Sequence, residues 1–199
     1  DTQLTLRICS SQLTLPLVMN KTETVEVEVW GDVCEAWSMG SQAHDWLSSI
    51  LGVDARLVFM PDEVYRPVDH GLYSVANSFA DAYPFLITSK ASLQCLNKRL
   101  DFPVEMDRFR PNIVIDNCEA FEEDSWQILR IGDVDFELVK PCARCLVPSI
   151  DQTTGKRTKG VLEELAKFRS WDGNIWFGKN ALVRSDGKVN VGDVVQVLG

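Results

Sequence analysis

Gln127-Ile128-Leu129-Arg130-Ile131-Gly132-Asp133-Val134-Asp135-Phe136-Glu137-Leu138-Val139-Lys140-Pro141-Cys142-Ala143-Arg144-Cys145 is the stretch that decides the fold. Residues 127–140 read as a hairpin, with Ile131-Gly132-Asp133-Val134 turning the chain into Asp135-Phe136-Glu137-Leu138-Val139. The strand is expected to end near Val139, leaving Lys140–Cys145 at the start of a loop. Short strands of this kind recur outward in both directions.

Upstream, Leu4, Leu6 and Ile8 share one parity, as do Leu13, Leu15 and Leu17, then Val25, Val27 and Val29. That alternation predicts antiparallel sheet with one wet face, broken at Asn20-Lys21. Over residues 41–51 the period changes. Ala43, Trp46, Leu47, Ile50 and Leu51 make a helical stripe, with Ser41 as its expected cap and Gly52 as its stop. Ala55–Met60 reads as a buried strand closed by Pro61, and residues 61–78 as a long loop. Phe85-Leu86-Ile87 is strand-like, and Ser89 is expected to cap a helix through Leu100. Asn112–Ile115 is another strand. A third helix is expected around 159–169, and a last strand over Val191–Leu198. Strands outnumber helices, so the fold class is α+β and β-rich, with a barrel or strongly bent sheet.

The chain has 199 residues, enough for one well-buried domain or two small ones. Acidic residues outnumber basic ones, 29 against 20, for a net charge of −9. That balance opposes phosphate-backbone binding, so no nucleic-acid partner is expected. No stretch approaches the ~18 apolar residues of a membrane span. Six scattered cysteines are too few for a disulfide scaffold, which points to reduced thiols in the cytoplasm or a similarly reducing compartment. The first residues, Asp1-Thr2-Gln3-Leu4, begin inside a strand-like alternation, and the expectation is a fragment of a longer protein.

Lys140-Pro141-Cys142-Ala143-Arg144-Cys145 is the sharpest chemical feature. Zinc would need about four N or S ligands, and His44 and His70 lie far upstream. A thioredoxin-like dithiol would need a helix starting at the motif, against which Pro148 argues. A single thiolate could instead hold a metal-containing cofactor, with Arg144 lowering the thiol pKa and binding an anionic group. Both cysteines could also be simply small buried hydrophobes. The residues alone leave these readings open.

Asp107-Arg108-Phe109-Arg110-Pro111-Asn112 could present one guanidinium to a phosphate, or carry two solvated arginines, or one paired with Asp107. Asp81 is either a turn residue or a proton carrier. Thr154-Gly155-Lys156-Arg157 is not a phosphate loop, since Ile150 stands where glycine is needed and Arg157 where Ser or Thr would meet magnesium. Trp171–Trp176, with Asp172-Gly173, reads as a surface turn anchored by aromatics.

Taken in order, these motifs resemble the MOSC superfamily, and most closely the bacterial relatives of the mitochondrial amidoxime-reducing component. The matching residues are Phe79–Leu86, Ala91-Ser92-Leu93 with Leu96-Asn97, and Arg108–Asn112. Glu123–Trp126, Ile131–Val134, Lys140–Cys145 and Phe177-Gly178-Lys179-Asn180 follow. The resemblance implies a MOSC-type β-barrel with short flanking helices over 75–199. It implies, more weakly, the later part of a preceding β-barrel domain over 1–74, with the family's N-terminal Lys-Ser cofactor contacts absent.

The resemblance implies a molybdenum cofactor (molybdopterin) with Cys145 as metal ligand. Arg144 and Arg110 would contact its phosphate, and Asn112 and Asn180 would join the cofactor contacts. Asp81 would be a proton carrier near the metal, and Cys142 a packing residue. Ala143 stands where close relatives often carry Ser, without the hydroxyl that could reach the phosphate. The implied activity is reduction of N-hydroxylated compounds, fed by a ferredoxin-type or cytochrome b5-type electron donor. Some relatives continue into an iron–sulfur ferredoxin domain. The alternatives from other classes are a non-catalytic cofactor carrier and a Cys-x-x-Cys dithiol redox protein.

Overall fold

The computed structural model describes residues 3–17, 23–70 and 73–199, and they divide into two compact units, Asp1–Asp81 and Ala82–Gly199. The Asn20-Lys21 break lies outside the described residues.

In the first unit, β1 (Gln3–Ile8) and β2 (Ser11–Pro16) form an antiparallel hairpin. A second antiparallel sheet has the order β3 (Thr24–Val29), β4 (Asp32–Ser38), β5 (Val58–Phe59). Helix α1 (Ser41–Leu51) enters between β4 and β5 in sequence. Its cap is Gly40 and not Ser41, because the entering residue needs φ 92°, which only glycine adopts freely. Gly52 ends it in the left-handed region, as expected. Leu13, Leu15, Met39 and Ala43 form the small core, with Trp46, Leu57 and Phe59 against it.

Two expectations change here. The strand over 55–60 shrinks to Val58–Phe59, and both residues are only half-buried. The loop expected over 61–78 contains a second hairpin, β6 (Pro67–His70) with β7 (Tyr73–Ala76), in which Val68 faces Val75. Four-residue strands edged by proline and turn-forming residues carry too little alternation to stand out.

The second unit is built on one curled sheet. In chain order its elements are β8 (Phe85–Ser89), helix α2 (Lys90–Asn97), β9 (Ile113–Ile115), β10 (Ile128–Ile131) and β11 (Val134–Ala143). Helix α3 (Val161–Phe168), β12 (Ser170–Trp171), β13 (Asn174–Val183) and β14 (Val195–Val197) complete it. Across the sheet the order is β14-β10-β11-β13-β8-β9, with β12 paired to β13. Every pairing is antiparallel except β8 with β9, which α2 joins as a crossover. The edge strands β9 and β14 both border one cavity of about 580 Å³, so the sheet curls like a barrel without a ladder between those edges. The fold is α+β and β-rich.

Ser89 caps α2 by accepting from the Ser92 N–H. The helix stops at Asn97 and not Leu100, because the Asn97 side chain turns to bond both N–H and C=O of Val104. Ile87, Leu129, Phe136, Leu138 and Ala181 centre one apolar core, while Leu96, Phe109, Leu165 and Phe177 centre another under the helices. The last strand covers only Val195–Val197. Upstream of it, the Asp193 carboxylate accepts from the Asn190 N–H and makes a turn of the residues expected to extend.

Candidate functional site

The Cys142–Cys145 motif does not begin a loop. β11 continues through Pro141 to Ala143, pairing with β13 as Lys140↔Asn180, Pro141↔Lys179 and Ala143↔Trp176. The ladder shifts register on both sides of this stretch, and an irregular ladder tolerates a proline that has no N–H to give. Pairing persists one residue further, since the Arg144 N–H donates to the Ile175 carbonyl at 2.8 Å. Only then does the chain leave the sheet, carrying Cys145 out as an exposed free thiol. A 3₁₀ turn over Val147–Ser149, with Pro148 inside it, follows.

Arg144 ties this tip to the second constellation. Its Nη2 donates to the Phe109 carbonyl at 2.9 Å and its Nη1 to Cys142 Sγ at 3.1 Å. The guanidinium also lies 5.6 Å from the Phe109 ring centre, and that ring stacks on Phe177 at 3.9 Å. The residue before Arg110 is therefore bonded to the residue before Cys145. Arg144 Nε is buried and finds no acceptor among the described residues.

The two arginines around Phe109 part company. Arg108 is buried, donating to Asp151 Oδ2 at 2.8 Å and Thr158 Oγ1 at 2.9 Å. Its partner is thus Asp151 and not Asp107. Arg110 sits in the left-handed region at φ 52°, is exposed, and makes no ion pair among the described residues. Asp151 also accepts from the Thr154 N–H and hydroxyl, bonds that hold its carboxyl below the usual range. Residues 151–154 thereby form a side-chain-closed turn.

The other expected site residues are placed as follows. Asn180 is buried beside the register shift, its amide donating to the Pro141 carbonyl at 3.5 Å. Asn112 joins strands, its Oδ1 accepting from the Leu86 N–H at 2.8 Å while its own N–H donates to the Leu86 carbonyl, and it borders the 580 Å³ cavity. Asp81 ends the first unit, exposed, with its carbonyl accepting from Arg66 Nη2 at 3.4 Å. The Arg144–Phe109 bond therefore ties the segments carrying Arg110 and Cys145 at the end of β11, Asn180 lies within β13 opposite Lys140, and Asn112 serves the β8–β9 join. Asp172 and Gly173 make the expected turn between β12 and β13, with Trp171 and Trp176 stacked at 5.4 Å.

Other matched motifs build framework. Glu123 is fully buried and accepts from Ser92 Oγ at 2.7 Å and Ser89 Oγ at 3.0 Å, and the two hydroxyls are 2.7 Å apart. Burial pushes its carboxyl above the ordinary glutamate range. Lys179 Nζ donates to the carbonyls of Asp124 and Trp126, and burial holds its amine below the usual lysine value. Sequence reasoning missed Arg66, an isolated arginine in an apparent loop with no periodic signature.

This geometry separates the open readings of the cysteines. No group of three or more His, Cys, Asp or Glu able to hold a metal occurs among the described residues, so zinc lacks its remaining ligands. No helix N-terminus lies at the motif to activate a dithiol, and Cys142 Sγ already faces Arg144.

The family model described as MOSC domain matches residues 75–196. Mitochondrial amidoxime-reducing component 1 of Homo sapiens is 35% identical over 96% of this chain and 61% of its own length. The Mus musculus protein of that name is 36% identical over 100% of this chain and 64% of its own length. Mitochondrial amidoxime reducing component 2 of Bos taurus is 34% identical, over 92% and 60% respectively. The chain thus spans about three fifths of the length of the curated relatives it matches. No helix among the described residues is long and apolar enough to cross a membrane.

Proposed function

Because the chain belongs to the MOSC domain family, we propose that it is the cofactor-bearing part of a molybdenum-dependent reductase of N-hydroxylated compounds. The relatives' names, amidoxime-reducing components, support the substrate class. The observation that carries the reading is the Arg144–Phe109 bond, which ties the residue before Arg110 to the residue before Cys145. The donor set suits such a group: an exposed soft thiol for the metal, and an unpaired exposed guanidinium with a buried Arg144 N–H still seeking an acceptor.

In this reading Cys145 supplies the thiolate ligand. Arg110 and Arg144 would neutralise the cofactor's phosphate, while Asn180 holds β13 to the Pro141 carbonyl of β11. Cys142 serves only as a packing neighbour of Arg144. When bound, the cofactor would supply two-electron reductive chemistry. The balance is R–N–OH plus two electrons and two protons giving R–N–H and water. By the resemblance, Asp81 would be the source of one of those protons. The electrons come from a ferredoxin-type or cytochrome b5-type donor. Residues 1–74 belong to a preceding barrel-like domain and 75–199 to the MOSC domain. Six free thiols suit a reducing compartment, taken as the cytoplasm, although the relatives carry a mitochondrial name.

Elemental analysis tests this on the complete natural polypeptide from a host able to make the cofactor. Near-stoichiometric molybdenum is expected in the wild type and in Cys142→Ala, and none in Cys145→Ala. Equal loss from both variants would refute the single-ligand assignment. Metal without turnover of a hydroxylamine-type substrate, given an artificial donor, would instead favour a cofactor carrier.

A further inference from the structure

Residues 140–159 carry five basic side chains and one acid, in a chain whose acids outnumber its bases 29 to 20. The acid, Asp151, is already held by buried Arg108 and by the Thr154 N–H and hydroxyl. Lys156, Arg157 and Lys159 are exposed and enter no ion pair among the described residues. Arg157 and Lys159 reach only Glu163, whose carboxyl is held below the ordinary glutamate range chiefly by backbone N–H groups and then by these two cations. A positive segment thus stands out on a chain of net charge −9.

The segment is held in shape. After Pro148 the chain doubles back, with Ile150 paired to Arg157. The Asp151 N–H donates to the Lys156 carbonyl at 2.9 Å, and the Thr158 N–H to the Ser149 carbonyl at 2.7 Å. Arg108 fastens both legs of this hairpin, Asp151 on one and Thr158 on the other. The next residue, Phe109, accepts from Arg144. Lys156 and Arg157 therefore ride on the framework that carries Cys145. Leu146, beside Cys145, is 56% exposed. Where the second leg runs into α3, Arg99, Phe102 and Lys159 line a recess of about 390 Å³, with Asp101 and the Lys167-paired Glu164 also on its wall. Phe102 is 82% exposed there. Small apolar anchors beside exposed charge of one sign suit a weak, quickly released protein contact.

We infer that the hairpin 149–158, continued by Lys159, is the docking surface for the electron donor, and that this donor is a protein with an acidic face. The inference rests on the proposed reading of Cys145 as the residue that holds the electron-accepting group. Electron transfer falls steeply with distance, so a donor has to dock on the framework that carries Cys145. An acidic protein is repelled by the net charge of the chain and steered to its positive segment. Each docking delivers one electron. Two donors are oxidised in turn as R–N–OH and two protons become R–N–H and water, so quick release between dockings matters as much as affinity.

The test uses the complete, cofactor-loaded polypeptide, with the acidic haem domain of a cytochrome b5 and an acidic [2Fe–2S] ferredoxin as probes. Affinity is read by titration calorimetry. Turnover of a hydroxylamine-type substrate is read with each probe and with reduced methyl viologen, which is too small to need a docking surface. Lys156→Glu/Arg157→Glu is expected to lower both the affinity and the kcat/KM for the protein donor about tenfold at low salt, with molybdenum content and viologen-driven turnover unchanged. The difference should shrink as salt rises from about 0.01 to about 0.15 M, where the screening length falls from about 30 to about 8 Å. Lys156→Gln/Arg157→Gln removes charge without reversing it and should lose less. Lys188→Glu, exposed and beside Gly132 at the other end of β11, should change neither reading. Unaltered donor affinity in the charge-reversed variant, an equal loss with viologen, or failure of both probes to bind the wild type would overturn the inference and leave the reductase reading standing. Lost binding to phosphatidylserine vesicles with donor affinity intact would overturn it in favour of a membrane surface. Molybdenum-loaded wild type that turns over with no donor, viologen included, would overturn both.

Discussion

Glu123→Gln gives a direct test of how the second unit holds a carboxyl group in its interior. Glu123, Ser89 and Ser92 form a closed triangle of oxygens at 3.0, 2.7 and 2.7 Å. Ser89 Oγ already accepts from the Ser92 N–H, and Ser92 Oγ from the Phe121 N–H. Two hydroxyl protons serve only two of the triangle's three edges. The third edge needs a proton on the carboxyl, which agrees with the upward push that burial gives Glu123.

The sign follows from linkage. A group whose folded pKa is raised contributes stability that is fully present below its unfolded value, about 4.3 for glutamate. That stability is lost as pH rises through the raised folded value. Within this window the loss is about 1.4 kcal/mol per pH unit, one proton's worth. Glutamine keeps the triangle and has no proton to lose. Urea unfolding at successive pH values, followed by tryptophan fluorescence, should show wild type and variant equally pH-dependent below the window. Above its start the variant should gain on the wild type at that slope. The Asp124–Arg169 ion pair at 2.7 Å beside Glu123 is kept in both proteins. A stability difference that stays constant with pH would refute a protonated Glu123.

Gly178→Ala should cost about 3–5 kcal/mol in urea unfolding, strain and overpacking together. Its φ is +76°, and a Cβ would lie 2.7 Å from Thr88 Cγ2 and 2.9 Å from the Ile87 carbonyl. A loss under 1 kcal/mol would show that β8 and β13 can part there. Arg108→Ala should cost about 2–3 kcal/mol by the same measurement, below the full value for a buried pair because Asp151 is 31% exposed. An unchanged midpoint would mean that water replaces the guanidinium freely.

The parts of the fold legible in sequence were those with a local physical signature. The Gly132-Asp133 turn, the Ser89 cap, the Gly52 stop and the spacing of Leu162, Leu165 and Phe168 each satisfy a rule within a few residues. The parts that were not legible depend on distant partners. Ala143 remains in a strand because Trp176 lies opposite, and Asn97 ends a helix because Val104 returns to it. Within the site, Cys145 and Arg110 stood out by residue type, but the bond between Phe109 and Arg144 that ties their segments together is one no spacing encodes. Arg108 and Arg110 look alike in sequence, and only the place of Asp151 makes one of them structural.

The order of strands has a consequence for synthesis on the ribosome. β8 and β11 both wait for β13, and β10 waits for β14. Residues 144–173 must be translated between the end of β11 and the start of its partner, which takes on the order of several seconds at ~5–20 residues per second. Throughout that interval the β10–β11 hairpin carries Leu129, Phe136 and Leu138 with their eventual cover unmade. A nascent chain paused there presents a sticky two-stranded edge, which makes this the natural point for a chaperone to engage and for slow codons to do harm.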